Sequence, residues 1–143
     1  MAKKKSRRKV TPATKVPKLE CIALCDSIVR DPSTSKPTLY GVFDQLYAEQ
    51  LPILVRFSLF AKFTGGAGKH SINVALIGPD GKPVEQSSHD VELNIVDGKN
   101  FDLVVAAGVL ATEYGPHYLR IKLGRKLLGT SYPMIVTKLP KSK

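Results

Sequence analysis

Residues 52–81, PILVRFSLFAKFTGGAGKHSINVALIGPDG, contain two alternating runs joined by a glycine-rich connection and closed by Pro79-Asp80-Gly81. In the first run Ile53, Val55, Phe57, Leu59, Ala61 and Phe63 share one parity, while Arg56, Ser58 and Lys62 take the other. That period of two places successive side chains on opposite faces of a half-buried strand. In the second run Ile72, Val74 and Leu76 alternate with Ser71, Asn73 and Ala75. The pair predicts an antiparallel hairpin. Because an isolated hairpin is marginal in water, the rest of the chain must supply strands to cover its apolar face.

Upstream, Leu19 to Val29 is apolar at both parities in its middle, with Ile22 and Leu24 on one face and Cys21, Ala23 and Cys25 on the other. This suits an internal strand. Asp31 to Pro37 is a loop by composition, and Thr38 to Asp44 is β-prone, with Gly41 marking a bulge or a close backbone approach. A polar link runs through Glu49 to the central stretch. Downstream, Val91, Leu93 and Ile95 form a weaker strand, Asp97-Gly98 a turn, and Phe101, Leu103 and Val105 a further inward parity. The Ala-Ala-Gly that follows leaves helix and strand both open for that last segment. Leu119, Ile121 and Leu123 alternate after Gly115-Pro116, and Gly124-Arg125-Lys126 turns the chain. Leu128 to Val136 returns as one last strand, which Pro133 places on an edge.

No stretch sustains a helical period. Six to eight short, turn-punctuated strands predict an all-β, antiparallel β-sandwich, with an immunoglobulin-like Greek key favoured and a small β-barrel as the alternative. The entry into the final strands resembles the penultimate strand of immunoglobulin-like sandwiches, in which a tyrosine near the strand start bonds back to the preceding loop; Tyr118 or His117 would hold that place. LCDSIVRDPST, LYGVFD, FAKFTGG and the PDGK turn together resemble a family of small bacterial proteins classed as a domain of unknown function. The resemblance covers about Leu19 to Val136 and implies a compact β fold. It implies no activity and no site residues.

At 143 residues the chain has the length of one domain, able to bury a core without staples. Its formal net charge of +10 is unevenly spread. Residues 1–18 carry eight Lys or Arg and no acid, and residues 138–143 add three lysines. Between Leu19 and Thr137 stand eleven basic and twelve acidic residues, one net negative charge. The expected organisation is a disordered basic tail at 1–17, a sandwich at 18–137 and a short basic tail at 138–143. Pro12 and Pro17 interrupt a polar segment, so the amino terminus does not read as a secretory signal. The longest apolar run, Leu103 to Ala111, is too short for a membrane helix. These features predict a soluble, cytoplasmic chain with no membrane contact.

Cys21 and Cys25 are the only cysteines. On one strand their Cα atoms would lie on the order of 13 Å apart, beyond disulfide reach. They read as two small apolar thiols in a core strand, in a reducing compartment.

Nothing in the chain rises to a catalytic or cofactor signature. Gly65-Gly66-Ala67-Gly68-Lys69 departs from a phosphate-binding loop at its first glycine, at His70, and in the strand that follows where a helix is needed. Asp26, Asp31 and Asp44, with Glu49, flank strand ends and form the one candidate cluster for a metal-dependent hydrolase. Against this, Asp31 reads as a turn initiator, Asp44 as a strand end, and Asp26 as an acceptor from a neighbouring loop. His70, His89 and His117 are scattered, and His117 shares the inward parity of Leu119. The positive lead is the arm bearing Lys3, Lys4, Lys5, Arg7, Arg8 and Lys9. Clustered cations on such an arm bind a polyanion, nucleic acid or a ribonucleoprotein surface, by releasing counterions without reading sequence. No aromatic residue interleaves with them for base stacking. The expected function is a non-enzymatic binding module that needs no cofactor and docks on a protein partner through an exposed sheet edge. The alternative is a protein-interaction module with an incidental solubilising tail.

Overall fold

The computed structural model describes residues 16–142, and these form ten strands with no helix among them. In chain order they are β1 (Lys18–Arg30), β2 (Pro37–Val42), β3 (Gln45–Ala48), β4 (Ile53–Thr64), β5 (Gly68–Ile77), β6 (His89–Ile95), β7 (Phe101–Ala111), β8 (Gly115–Leu123), β9 (Lys126–Thr130) and β10 (Met134–Lys138). One sheet has the order β2-β1-β4-β7; the other runs β3-β10-β8-β5-β6, with β9 also paired to β8. The architecture is a sandwich rather than a barrel.

β4 and β5 do not form a hairpin. They lie in different sheets, β4 between β1 and β7, and β5 between β8 and β6. The alternation was legible, but the pairing that it suggested is overturned by the connection. Gly65 and Gly66 take left-handed φ values of 67° and 66°, open to glycine at little steric cost, and carry the chain from one sheet to the other. Phe57, Leu59 and Phe63 then face Ile72, Val74 and Leu76 across one shared core. Leu103 and Val109 of β7, Leu119 and Ile121 of β8, and Met134 and Val136 of β10 complete it.

The connectivity is that of an immunoglobulin-like Greek key. The chain crosses between sheets from β4 to β5, stays for β6, crosses to β7, crosses back to β8, and stays for β9 and β10. Three further expectations need correction. The polar link before Glu49 holds β3, which pairs parallel with β10. The last strand is broken into β9 and β10 along one side of β8, with Pro133 in the break. There the Ser131 hydroxyl accepts from the Leu119 N–H at 2.9 Å, standing in for a strand backbone partner. And β10 is flanked by both β8 and β3, so it is not an edge.

β1 changes partner along its length. It pairs with β4 from Lys18 to Cys25 and with β2 from Cys25 to Arg30. Beyond Cys25 the β1–β2 pair is an arm that folds back over the outer face of the sheet. Arg30 Nη2 at its far end donates to Asp102 O at 3.4 Å, and Asp102 is registered with Lys62, itself opposite Cys21 near the start of β1. The arm explains two burials that parity alone would not give. Cys25 and Phe60 sit on the outward side of the sheet, yet they are 0% and 7% exposed. Cys21, at the same parity but beyond the arm's cover, is exposed, which corrects the expectation of two core thiols.

The hinge of the arm is held by main-chain and hydroxyl bonds. Phe43 N donates to Leu24 O at 3.1 Å, and the Tyr132 hydroxyl lies 2.9 Å from Phe43 O and 3.3 Å from both Leu24 O and Leu24 N. Gly41, at φ 64°, lies where any Cβ would collide with the Asp26 carboxylate, the close approach that its place in a strand suggested.

Two substitutions probe these elements. Phe63→Ala, at a fully buried position, is expected to cost about 3–5 kcal/mol, read in urea unfolding as a lower midpoint at unchanged slope. Tyr132→Phe leaves main-chain groups at the hinge unpaired and is expected to cost about 1–3 kcal/mol in the same measurement.

Candidate functional site

The three aspartates do not converge. Asp26 sits at the base of the arm, opposite Gly41, and Asp31 at its tip, beside the Arg30–Pro37 pair. Asp44 lies beyond the end of β2. Among the described residues no three His, Cys, Asp or Glu side chains are grouped to hold a metal ion. Asp31 is committed to its own loop: Oδ1 accepts from Ser33 Oγ at 2.6 Å, Ser33 N at 2.8 Å and Thr34 N at 2.9 Å. Such a local motif is what a short acidic residue does at the start of a turn. These bonds, led by the Ser33 hydroxyl, hold its carboxyl at about 2, down from 3.8. A carboxylate kept ionised this firmly is a poor proton acceptor near neutral pH.

The other candidates are likewise occupied. His70 Nε2 lies 2.5 Å from Gly66 O, so the glycine run is tied to its own strand. His117 is buried, with Nδ1 3.0 Å from Gly115 O. It is thus a hydrogen-bonded structural residue, as its parity suggested, but it bonds two residues back and not across a corner. The cross-chain tyrosine bonds belong instead to Tyr132 at the arm hinge and to Tyr114, whose hydroxyl donates to Ala48 O at 3.3 Å. A cleft of about 310 Å³ between residues 78–86 and the β7–β8 connection is lined by Asp80, Glu85, Glu113 and His117. No cysteine lines it, and Asp80 Oδ1 is already bonded to Lys82 N at 3.0 Å. Burial, with the nearby Asp26 charge, pushes the Cys25 thiol up from its ordinary value, which suppresses the nucleophilic thiolate.

The cations of the amino-terminal arm, Lys3, Lys4, Lys5, Arg7, Arg8 and Lys9, lie outside the described residues. On the described body, Lys62 pairs with Asp102 at 2.5 Å and stands 5.9 Å from the Phe60 ring centre. This pair ties β4 to β7 within the sheet, and Arg30 on Asp102 O brings the tip of the folded-back β1–β2 arm to the same place. No helix among the described residues is long and apolar enough to cross a membrane.

β7 is paired with β4 alone, so its other side is an open sheet edge. Its run Leu103 to Ala111 has no charge and no proline, the two devices that usually blunt an edge. That signal was present in the sequence, but it means nothing until the strand order shows which strand is outermost.

The hydrogen bonds of Asp31 set a pH dependence. Its carboxyl titrates lower in the folded chain than in the unfolded one, so its stabilisation is complete above about 3.8 and fades as pH falls toward about 2. Carbon-detected NMR titration is expected to place the Asp31 midpoint near 2, and Asp31→Asn to flatten the acid limb of stability over that interval.

No curated protein matches this chain. Among solved structures it is similar to an immunoglobulin-like protein from Pseudomonas aeruginosa, at 15% identity and a TM-score of 0.41, over 87% of this chain and 99% of the other. The model of a family of unknown function, DUF6941, matches residues 20–137, spanning β1 through most of β10. The strands, the arm and the hinge described above are thus those of a member of the DUF6941 family, to which this chain belongs.

Proposed function

We propose that the chain is a non-enzymatic binding module whose sandwich carries a cationic arm, Lys3, Lys4, Lys5, Arg7, Arg8 and Lys9, onto a polyanion such as nucleic acid or a ribonucleoprotein surface. The observation that supports this reading is the segregation of charge: eight cations and no acid in residues 1–18, against a body from Leu19 to Thr137 with one net negative charge. The body itself would not attract a polyanion, and its candidate chemical groups are spent on structure. Asp31 holds a turn, His70 and His117 bond to nearby carbonyls, and Cys25 is buried. Contacts made by lysines and arginines to phosphate act through charge, so they add affinity without base discrimination.

The test is binding of the full chain to a generic RNA or DNA duplex across a salt series. The parent is expected to lose affinity steeply with salt, with a slope of up to about −5 in log K against log salt on B-DNA if all six cations contact phosphate. Replacing the six by glutamine is expected to abolish that slope. Salt-insensitive binding, or binding unchanged by the replacement, overturns the reading and leaves the arm a solubilising tail.

A further inference from the structure

The side of β7 away from β4 is an open sheet edge. In constant-type immunoglobulin sheets the strand order is A-B-E-D; here β1, β4 and β7 take the places of A, B and E, and the place beyond β7 is vacant. The chain passes from β6 to β7 through Val96 to Asn100 without forming the missing strand. Alternate residues of β7 therefore present N–H and C=O groups away from β4. Among the described residues, the one hydrogen bond to a β7 main-chain group from outside β4 is Arg30 Nη2 to Asp102 O, at the strand's first turn of pairing. It caps that end and leaves Leu103 to Ala111 free.

We propose that the occupant of this edge is the β7 of a second copy, paired antiparallel about a two-fold axis to make one continuous eight-stranded sheet. Two observations favour a second copy. First, the edge is self-complementary: with Ala107 on the axis, Val104 faces Leu110 of the other copy and Ala106 faces Gly108, so apolar meets apolar and no like charges oppose. Second, the outward stripe that this pairing would extend is already apolar and exposed, with Leu54, Val104 and Leu110 at 53%, 38% and 48%. An isologous contact of this kind closes on itself, which also removes the aggregation hazard of a long uncharged edge. The inference does not rest on the polyanion reading, since it uses no residue of the amino-terminal arm.

The test is sedimentation equilibrium of the full chain under reducing conditions, in about 0.5 M salt to screen the cationic ends. The parent is expected to reach twice the 15.6 kDa monomer mass as its concentration rises. The double variant Val104→Lys, Ala106→Lys is expected to stay monomeric with an unchanged circular dichroism spectrum. Gly108→Glu is a second disrupting variant, since an added Cβ there meets only Leu54 and Arg56 side chains and the Val55 carbonyl at ordinary contact distance. A parent that is monomeric at every concentration overturns the proposal. So does a dimer that survives these substitutions in folded protein.

Discussion

The structure depends on one constraint: two strands adjacent in sequence must bury their apolar faces against each other from opposite sheets. β4 presents Val55, Phe57, Leu59, Ala61 and Phe63, and β5 presents Ile72, Val74 and Leu76, all in one core. A hairpin would set both runs side by side on the same face and leave that face to be covered by something else. Crossing at the glycine connection lets each run cover the other, and burial of large apolar side chains at roughly 25 cal/mol per Å² makes that the favourable arrangement. The Greek-key order of the remaining strands follows, because each later crossing must fill a place beside β4 or β5.

The second organising feature is the arm of β1 and β2. It is anchored at its base by Tyr132, which binds the main chain of Leu24 and Phe43, and at its tip by Arg30 on Asp102. By lying over the outer face it shelters Phe60 and Cys25, which would otherwise be apolar groups in water. It covers that face only in part. The rest, toward β7, keeps Val104, Leu54 and Leu110 exposed, and the sheet that the arm protects ends in an edge that nothing within the described chain covers.

Charge is arranged separately from this architecture. The folded body balances its acids and bases, and its closest ion pair, Lys62 with Asp102, joins β4 to β7 beneath the tip of the arm. The excess cations stand at the two ends of the sequence. The two proposed modes, main-chain pairing at an edge and charge contact with a polyanion, differ in salt dependence: the first weakly sensitive, the second steeply so.

The sequence by itself determined most of the strands, their inward parities and the all-β class, because a period of two is a local property of side-chain order. It also marked Asp31 as a turn initiator, since that effect acts within a few residues, whereas for Gly41 it offered a bulge or a close approach and only the pairing of β1 with β2 set Asp26 against it. Which strands pair was decided only by the tertiary structure. The same alternation in 52–81 serves a hairpin or a crossing equally, β3 is too short to announce itself, and Pro133 marks a break whose neighbours are remote in the chain. Likewise Cys21 and Cys25 share a parity and differ in exposure only because a folded-back arm covers one of them. The open edge of β7 belongs to the same class: local composition made it uncharged, but its being outermost is a fact of strand order, which no local pattern encodes.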